Sequence, residues 1–387
     1  MIQYSQLAEK FVKRFSDNPV YFFSSPGRTE LGGNHTDHNG GCVLAASIDL
    51  DTVAYVSPAY DYTVTVFSDG FEPVCIDISD LNARKDEQGK SSSLIRGVAA
   101  SIAKRGGYLG GFNAVVSSRV FPGSGLSSSA SYEVLIGKIF SVLFNDDRFS
   151  STEIAIMGRE AENNYFNKPC GLMDQVACAN GGAVGIDFKN SSSPVIVSAP
   201  ADFRKWGYDL LIVNTPFNHA DLTPEYAAIP GEMKMVASWF GKDLLAEVDP
   251  AEFEEKKDKI AREINCDRAV SRAHHFFTET IRAQHMLQAL LKDDSNKYMN
   301  LVRESGNSSY HYLQKIGYLK EALDISNDFL EDRGFARVHG GGFAGTIQVY
   351  VSENLTSEYK SLMESKYGKG CVTAISIRKE GVTAQIL

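Results

Sequence analysis

The sequence predicts an α+β fold in two parts. Three observations carry this. Strand-like segments cluster between residues 40 and 80 and return near the C-terminus. The stretch from about 225 to 330 is mostly helical and charged, and no regular strand–helix alternation or tandem repeat runs through the chain. The 387 residues are enough for two or three domains. With 43% hydrophobic and 22% charged residues, the chain has the composition of an ordinary globular protein with room for large cores.

Taken in order, the elements follow from periodicity and turn chemistry. Leu7, Phe11 and Phe15 recur at i, i+4 and i+8 and predict an amphipathic helix, with no apolar core of the kind a secretory signal needs. Thr52–Val56 and Tyr62–Phe67 are rich in β-formers and predict strands, with Pro, Asp and Gly marking turns around them. Residues 129–144 predict a helix, because Val134, Leu135, Ile139, Val142 and Leu143 form a helical stripe. Residues 151–166 predict another, opened by a capping box of Ser150 and Glu153 ahead of Ile154, Met157, Ala161 and Tyr165. Val184–Phe188 and Leu210–Asn214 predict strands. The loop from Asn190 to Pro194 marks a seam near 190–205, which divides the chain into 1–200 and 201–387. Strands at Thr346–Ser352 and Cys371–Arg378 close the chain.

Composition excludes several functions. With 39 Lys and Arg against 48 Asp and Glu, the net charge of −9 argues against a general binder of nucleic acid or anionic membranes. No stretch reaches the roughly 18 apolar residues of a membrane span. The 6 cysteines form no CxxC pair, and no HExxH is present, so neither a disulfide scaffold nor a zinc site is expected. These readings predict a cytoplasmic protein with reduced thiols and no nucleic-acid or membrane partner.

Three glycine-rich stretches compete as phosphate cradles. Pro122-Gly-Ser-Gly-Leu-Ser-Ser-Ser-Ala130 lies directly before the predicted helix at 129–144. Small residues let backbone approach a ligand, a helix N-terminus offers unpaired N–H groups, and serine hydroxyls add donors or Mg²⁺ ligands. Gly89-Lys90-Ser91 resembles the end of a Walker A loop, but Arg84 stands where its upstream glycine belongs, so a surface loop is expected. Gly340–Gly345 contains GxGxxG, but a strand-like run follows it where a dinucleotide fingerprint needs a helix. A tight loop packed against a site is expected there instead.

The strongest site signal is Pro26–Gly41, which packs Arg28, Glu30, Asn34, His35, Asp37 and His38 among glycines. Such a density of hydrogen-bonding side chains suits a polyhydroxy ligand, each of whose buried hydroxyls wants a donor and an acceptor. A polar surface turn or a metal site would use the same residue types.

These stretches resemble, in family order, the motifs of the galactokinases and of the wider GHMP kinase superfamily. Residues 27–41 resemble the galactokinase signature, whose form is close to GRxNLIGEHTDYNGG. The 122–130 stretch resembles the superfamily's ATP-binding motif, and Arg337–Gly345 its third motif. Lys168-Pro-Cys-Gly-Leu-Met-Asp-Gln175 resembles the PCGxMDQ segment, and Asn214, His219, Glu225 and Tyr226 resemble a segment that ends in a sugar-contacting tyrosine.

The resemblance implies an N-terminal ribosomal-S5-like α+β domain and a C-terminal ferredoxin-like α+β domain, with the active site in the cleft between them. It implies phosphoryl transfer from MgATP to the anomeric hydroxyl of a sugar, with galactose the default. Asp174 would be the catalytic base and Arg28 its active-site arginine. Asn34, His35, Asp37, Gly171 and Tyr226 would contact the sugar. Gly123, Ser124, Gly125, Leu126, Ser127, Ser128 and Ser129 would hold the nucleotide phosphates, and Ser128 with Glu162 would ligate Mg²⁺. A monomer or weak homo-oligomer is expected.

The chain also departs from the pattern. Asn34 replaces a glutamate that accepts a hydrogen bond from the sugar's 6-hydroxyl, and an uncharged amide would tolerate a C6 carboxylate there. His38 replaces a tyrosine, as in the IDHQGG of galacturonokinases. Thr29-Glu30 replaces Val-Asn, Gly32 replaces Ile, Ser305-Gly306 replaces Ser-His, and Ala344 replaces a glycine. A 1-kinase for another sugar, such as galacturonate, is therefore the rival within the class. A non-catalytic sugar sensor is the rival outside it.

Overall fold

The computed structural model describes residues 4–121, 123–190, 193–216, 223–314, 317, 319–342 and 345–387, without the side chains of residues 4, 5, 223 and 226. The chain opens with α1 (Tyr4–Phe15), β1 (Tyr21–Gly32), β2 (Cys42–Pro58), β3 (Thr63–Ser68), β4 (Val74–Asp77), α2 (Ser91–Lys104) and β5 (Phe112–Ser118). Next come α3 (Ser128–Phe144), α4 (Ser151–Ala161), α5 (Met173–Asn180), β6 (Ala183–Asp187), β7 (Val195–Ala199) and β8 (Tyr208–Asn214). A helical block follows: α6 (Thr223–Trp239), α7 (Pro250–Ile264), α8 (Asp267–Leu291), α9 (Ser295–Ser308) and α10 (Lys320–Leu330). The chain closes with β9 (Gly334–Val338), β10 (Thr346–Ser352), α11 (Thr356–Tyr367), β11 (Val372–Ile375) and β12 (Thr383–Ile386).

Two sheets organise these elements. The first has 8 strands in the order β12-β1-β2-β5-β3-β4, with β6 pairing β2 and β7 pairing β6. All its pairs are antiparallel except β3 with β5. The second is a four-stranded antiparallel sheet, β11-β8-β10-β9. This is the α+β arrangement the sequence predicts. The C-terminal β12 crosses back to pair with Tyr21–Ser24 of β1, so the last residues of the chain complete the first sheet.

Burial explains the layering. One core lies between the first sheet and α2–α5, built from residues such as Phe23, Val56, Ile95, Phe112, Leu135, Phe140 and Met157. A second core joins the two sheets, with Leu31, Leu44, Ile48 and Leu126 packing among Leu210, Ile212, Met286, Tyr298 and Tyr350. At roughly 25 cal/mol per Å² of apolar surface, such shared cores dominate the driving force for assembly. The second core therefore holds β1, β2 and the glycine-rich loop at residues 123–127 against the second sheet.

Local signals work as expected at several elements. Leu7 and Phe11 are fully buried on α1. The Ser150–Glu153 capping box forms, with Glu153 N donating to Ser150 Oγ at 3.3 Å and Ser150 N to Glu153 Oε2 at 2.9 Å. Two expectations need correcting. The helix over 151–166 is α-helical only to Ala161 and continues as a π-helical turn over Glu162–Phe166. Ser91 of the Walker-like decoy opens α2 rather than lying in a loop, although Gly89 and Lys90 before it are exposed.

Candidate active site

Arg28 lies on β1 between two register shifts, at Pro26/Arg28 and Glu30/Gly32. Such irregularities re-aim side chains beside functional sites and admit a proline to a strand. Arg28 Nε donates to Asp174 Oδ1 at 2.7 Å and Nη2 donates to Oδ2 at 2.8 Å, a bidentate pair. Arg28 Nη1 also donates to the Gly125 carbonyl, and Ser127 Oγ donates to Asp174 Oδ2. Arg28 is buried, while the Asp174 side chain keeps 33% of its exposure at the start of α5. Burial pushes the Asp174 carboxyl up, but the Arg28 charge and hydrogen bonds, with help from Ser127 and Lys168, outweigh it. The carboxyl is held below its ordinary value.

The glycine-rich loop is tied to this pair. Gly123 and Gly125 have φ of +77° and +72°, and a Cβ at Gly125 would collide with Thr346 Oγ1. Ser127 takes φ +61°, a costly conformation for a serine, and turns its hydroxyl to Asp174 instead of capping α3. The first-turn N–H groups of α3 therefore receive no side-chain cap from Ser127 and remain open to an anionic ligand. Two expected phosphate contacts have other side-chain tasks. Ser124 Oγ donates to the Phe121 carbonyl at 2.6 Å, and Leu126 is buried in the core between the sheets. Both can offer a ligand only backbone groups. Pro122 lies outside the described residues.

Glu162 is 2% exposed at the start of the π-helical turn. Its Oε1 accepts from Ser129 Oγ at 3.1 Å and from Lys168 Nζ at 2.7 Å, and its Oε2 accepts from Gln175 Nε2 at 3.1 Å. The serine that hydrogen-bonds to Glu162 is Ser129, and Ser128, the expected metal ligand, lies about 100° round the helix from it. Among the described residues no group of three or more His, Cys, Asp or Glu could enclose a metal. One carboxylate beside one hydroxyl, already facing a lysine ammonium, still fits a hard cation that takes its other ligands from water and phosphates.

The polar loop packs over the same face. Thr36 Oγ1 donates to the Gly33 and Cys42 carbonyls, which fixes the turn. Asn34 is 1% exposed, and its Nδ2 donates to both Glu30 oxygens at 3.1 and 3.2 Å and to the Gly340 carbonyl at 2.6 Å. His35 takes φ +59°, and its Nε2 lies 2.9 Å from the Gly341 carbonyl. Its neighbour His38 points Nε2 at His35 Nδ1, 3.4 Å away. Burial, then the His38 charge, push the His35 imidazole down to about 3, so it is neutral at physiological pH. Asp37 faces Gly171 so closely that a Cβ there would overlap Asp37 Oδ2. The Asp174 charge also reaches Asp37 and helps burial raise its carboxyl. The backbone of Tyr226 lies in α6, but its side chain lies outside the described residues, as does His219.

The stretches that carry these residues, and the fold that holds them, match known proteins. Residues 9–58 match the galactokinase galactose-binding signature, and residues 93–182 match the GHMP kinases N terminal domain. The galactokinase of Lactococcus lactis, solved with galactose, superimposes with a TM-score of 0.85 at 25% identity, covering 98% of this chain and 99% of that one. The chain has the GHMP kinase fold. It is a galactokinase-like sugar kinase. Two more distant kinases share the fold. Phosphomevalonate kinase of Streptococcus pneumoniae, solved with phosphomevalonate and AMPPNP, has a TM-score of 0.63 at 13% identity, over 95% of this chain and 99% of that one. A D-glycero-D-manno-heptose 1-phosphate kinase from Bacteroides thetaiotaomicron has a TM-score of 0.62 at 18% identity, over 95% and 99%.

The structure of this kinase also shows supports that the sequence left unmarked. His275 on α8 is fully buried and places Nε2 2.9 Å from the Asn34 carbonyl. Glu279 accepts from Gly33 N at 3.0 Å and from Ser305 Oγ at 2.5 Å. Burial opposes the Glu279 charge, but His275, Arg282 and Arg337 bring its carboxyl down to about 2. Arg337 on β9, 1% exposed, donates to Glu30 Oε1 at 3.1 Å and to the Leu31 carbonyl at 2.5 Å. His275 stands beside His274 in the sequence. Its spacing to Glu279 on one helix face was the available signal. Gly306, where the family pattern has histidine, packs against the Phe335 ring so closely that any Cβ would collide.

Gly171 gives a direct test of the pocket. Gly171→Ala should raise KM for the sugar about tenfold or more through the displaced Asp37, and leave KM for ATP within about twofold. Steady-state kinetics with each substrate varied in turn check this. An unchanged sugar KM would remove Asp37 from the sugar site.

Proposed function

We propose that this kinase transfers the γ-phosphoryl group of ATP to the anomeric C1 hydroxyl of galactose, giving galactose 1-phosphate and ADP. The observation that carries the reading is the Arg28–Asp174–Ser127 constellation, set between a helix-terminal phosphate loop and a buried polar loop. The end-to-end likeness to a galactokinase solved with galactose supports the choice of sugar.

In this reading Asn34, His35, Asp37, Gly171 and Tyr226 hold the sugar hydroxyls. The backbone of Gly123–Ser129 and the first turn of α3 hold the nucleotide phosphates. Asp174 orients the C1 hydroxyl and accepts its proton as the sugar oxygen bonds to phosphorus and the bond to the ADP oxygen breaks. A carboxylate held below its ordinary pKa is a weak base, so the proton moves late, as the new bond forms. Arg28 keeps Asp174 ionised and faces the negative charge of the transferring group. Glu162 and Ser129 would hold Mg²⁺, which neutralises phosphate charge when bound. The division of the chain at residue 200 belongs to the same reading, with the site in the cleft between the parts.

The test is ADP release with MgATP across galactose, galacturonate, glucose, N-acetylgalactosamine, fucose and arabinose, with the Asp174→Asn protein as blank. The reading predicts the highest kcat/KM on galactose. Tight binding of one sugar with no ADP release from any would replace it with a sensor.

A further inference from the structure

We infer that Lys168 is a phosphate-binding residue of this kinase that also stands in for the metal ion. It balances Glu162 while the nucleotide is absent and turns to a nucleotide phosphate when MgATP binds, so that the metal enters with the nucleotide and not alone. This rests on the placing of phosphates and Mg²⁺ in the reading above, and not on the sugar.

Glu162 is buried, and its two oxygens have different surroundings. Oε2 accepts from Gln175 Nε2 at 3.1 Å, and the same Nε2 donates to the buried Glu133 at 3.0 Å. Oε1 accepts from Ser129 Oγ at 3.1 Å and from Lys168 Nζ at 2.7 Å. The ammonium and a first-turn serine of α3 thus meet on one oxygen, beside the N–H groups open to an anion. A buried carboxylate needs a counter-charge, and Lys168 supplies it.

The lysine is fixed at its root and loose at its tip. Lys168 N donates to the Glu162 carbonyl at 3.1 Å, and Cys170 N donates to Asn163 Oδ1 at 2.7 Å, so the backbone stays on the π-helical turn. The Lys168 side chain is 59% exposed, against 3% for that of Glu162, so its four-carbon stem is free to swing. Its charge is felt at both carboxylates of the site. Against burial, and behind Arg28 and Ser127, it helps hold the Asp174 carboxyl below its ordinary value.

Charge decides where the ammonium goes. An ammonium and a divalent ion repel each other on one carboxylate oxygen. Without nucleotide, a displaced Lys168 gives up its anion for water, which opposes entry of the ion. With nucleotide, phosphate oxygens beside Glu162 take the ammonium, and Lys168 joins Arg28 in facing the transferring group. The PCGxMDQ pattern begins at Pro169 and assigns this lysine no role.

The test measures metal and nucleotide binding separately, on the full chain without sugar. Paramagnetic resonance of free Mn²⁺ gives the metal Kd, and calorimetry in saturating Mg²⁺ gives the Kd of a non-hydrolysable ATP analogue. Lys168→Met should bind Mn²⁺ alone about tenfold more tightly than the wild type, because its competitor is gone. It should bind the analogue about tenfold more weakly, because a charged phosphate contact is lost. With galactose its kcat should fall about tenfold or more, with KM for the sugar within about twofold. Lys168→Gln, equally neutral, should match it, which separates loss of charge from local damage. Glu162→Gln should remove the Mn²⁺ site. An Mn²⁺ Kd or an analogue Kd that Lys168→Met leaves unmoved would overturn the inference and spare the functional reading. So would Mn²⁺ binding that survives Glu162→Gln, or a Lys168→Gln protein that behaves as the wild type. A wild type that neither binds the analogue nor releases ADP with galactose would fell both.

Discussion

Asp174→Asn should lower kcat by about a thousandfold or more while nucleotide binding survives. The amide cannot take a proton from the sugar hydroxyl, and it breaks the bidentate pair with Arg28 at 2.7 and 2.8 Å. Arg28 would then be a buried guanidinium without its counter-charge, free to swing toward phosphate or solvent. The nucleotide contacts should persist, because the loop is anchored separately, by Arg28 N to the Leu126 carbonyl at 3.0 Å and by Ser124 to Phe121. Coupled ADP assays give kcat, and calorimetry with a non-hydrolysable nucleotide gives Kd. A variant within about tenfold of wild-type kcat would remove Asp174 from the chemistry. The pH profile carries the same sign. With the Asp174 carboxyl held below its ordinary value, its ionised form is present throughout the neutral range. Loss of kcat on this account sets in only as pH falls below the usual carboxylate range.

The largest stability loss is expected at Arg337. Both partners of its ion pair are buried, Arg337 at 1% and Glu30 at 3% exposure, and the guanidinium also binds the Leu31 carbonyl. Removing one member of a buried pair leaves a charge without compensation, at a cost of about 3–5 kcal/mol. Arg337→Met keeps most of the volume and should lose about that much in urea unfolding. Glu30→Gln added to Arg337→Met should recover part of the loss, because the stranded charge is then gone. A single-variant loss below about 1 kcal/mol would mean that Glu30 readily neutralises itself by taking up a proton. Burial already pushes its carboxyl upward against the pull of Arg337.

What the sequence made legible was the set of contiguous motifs. Residues 26–41 and 122–130 gather polar or small residues in one short run, so their composition exposes them, whereas 168–175 is visible only through the family resemblance. Helices α3 and α4 were readable from apolar stripes and a capping box, and β10 from its β-formers. Helix α2 opens on a run of three serines that reads as loop, and α5, with 8 residues, is too short for a periodic stripe to show. The roles of Glu30, Arg337, His275 and Glu279 depend on contacts spanning 241 to 307 positions, which no local pattern encodes. Choosing Ser129 over Ser128 depends on where α3 begins and on which way the π-helical turn aims Glu162. A one-residue error in a helix start is enough to reverse that choice.

The central claim is the bond that is made, and phosphorus NMR of the product tests it most directly. Galactose and MgATP incubated with the wild-type enzyme should yield ADP and one new phosphomonoester, whose phosphorus couples to the anomeric proton. A phosphomonoester coupled to the C6 protons, or ATP consumed with no sugar phosphate formed, would contradict the placement of Asp174 at the C1 hydroxyl.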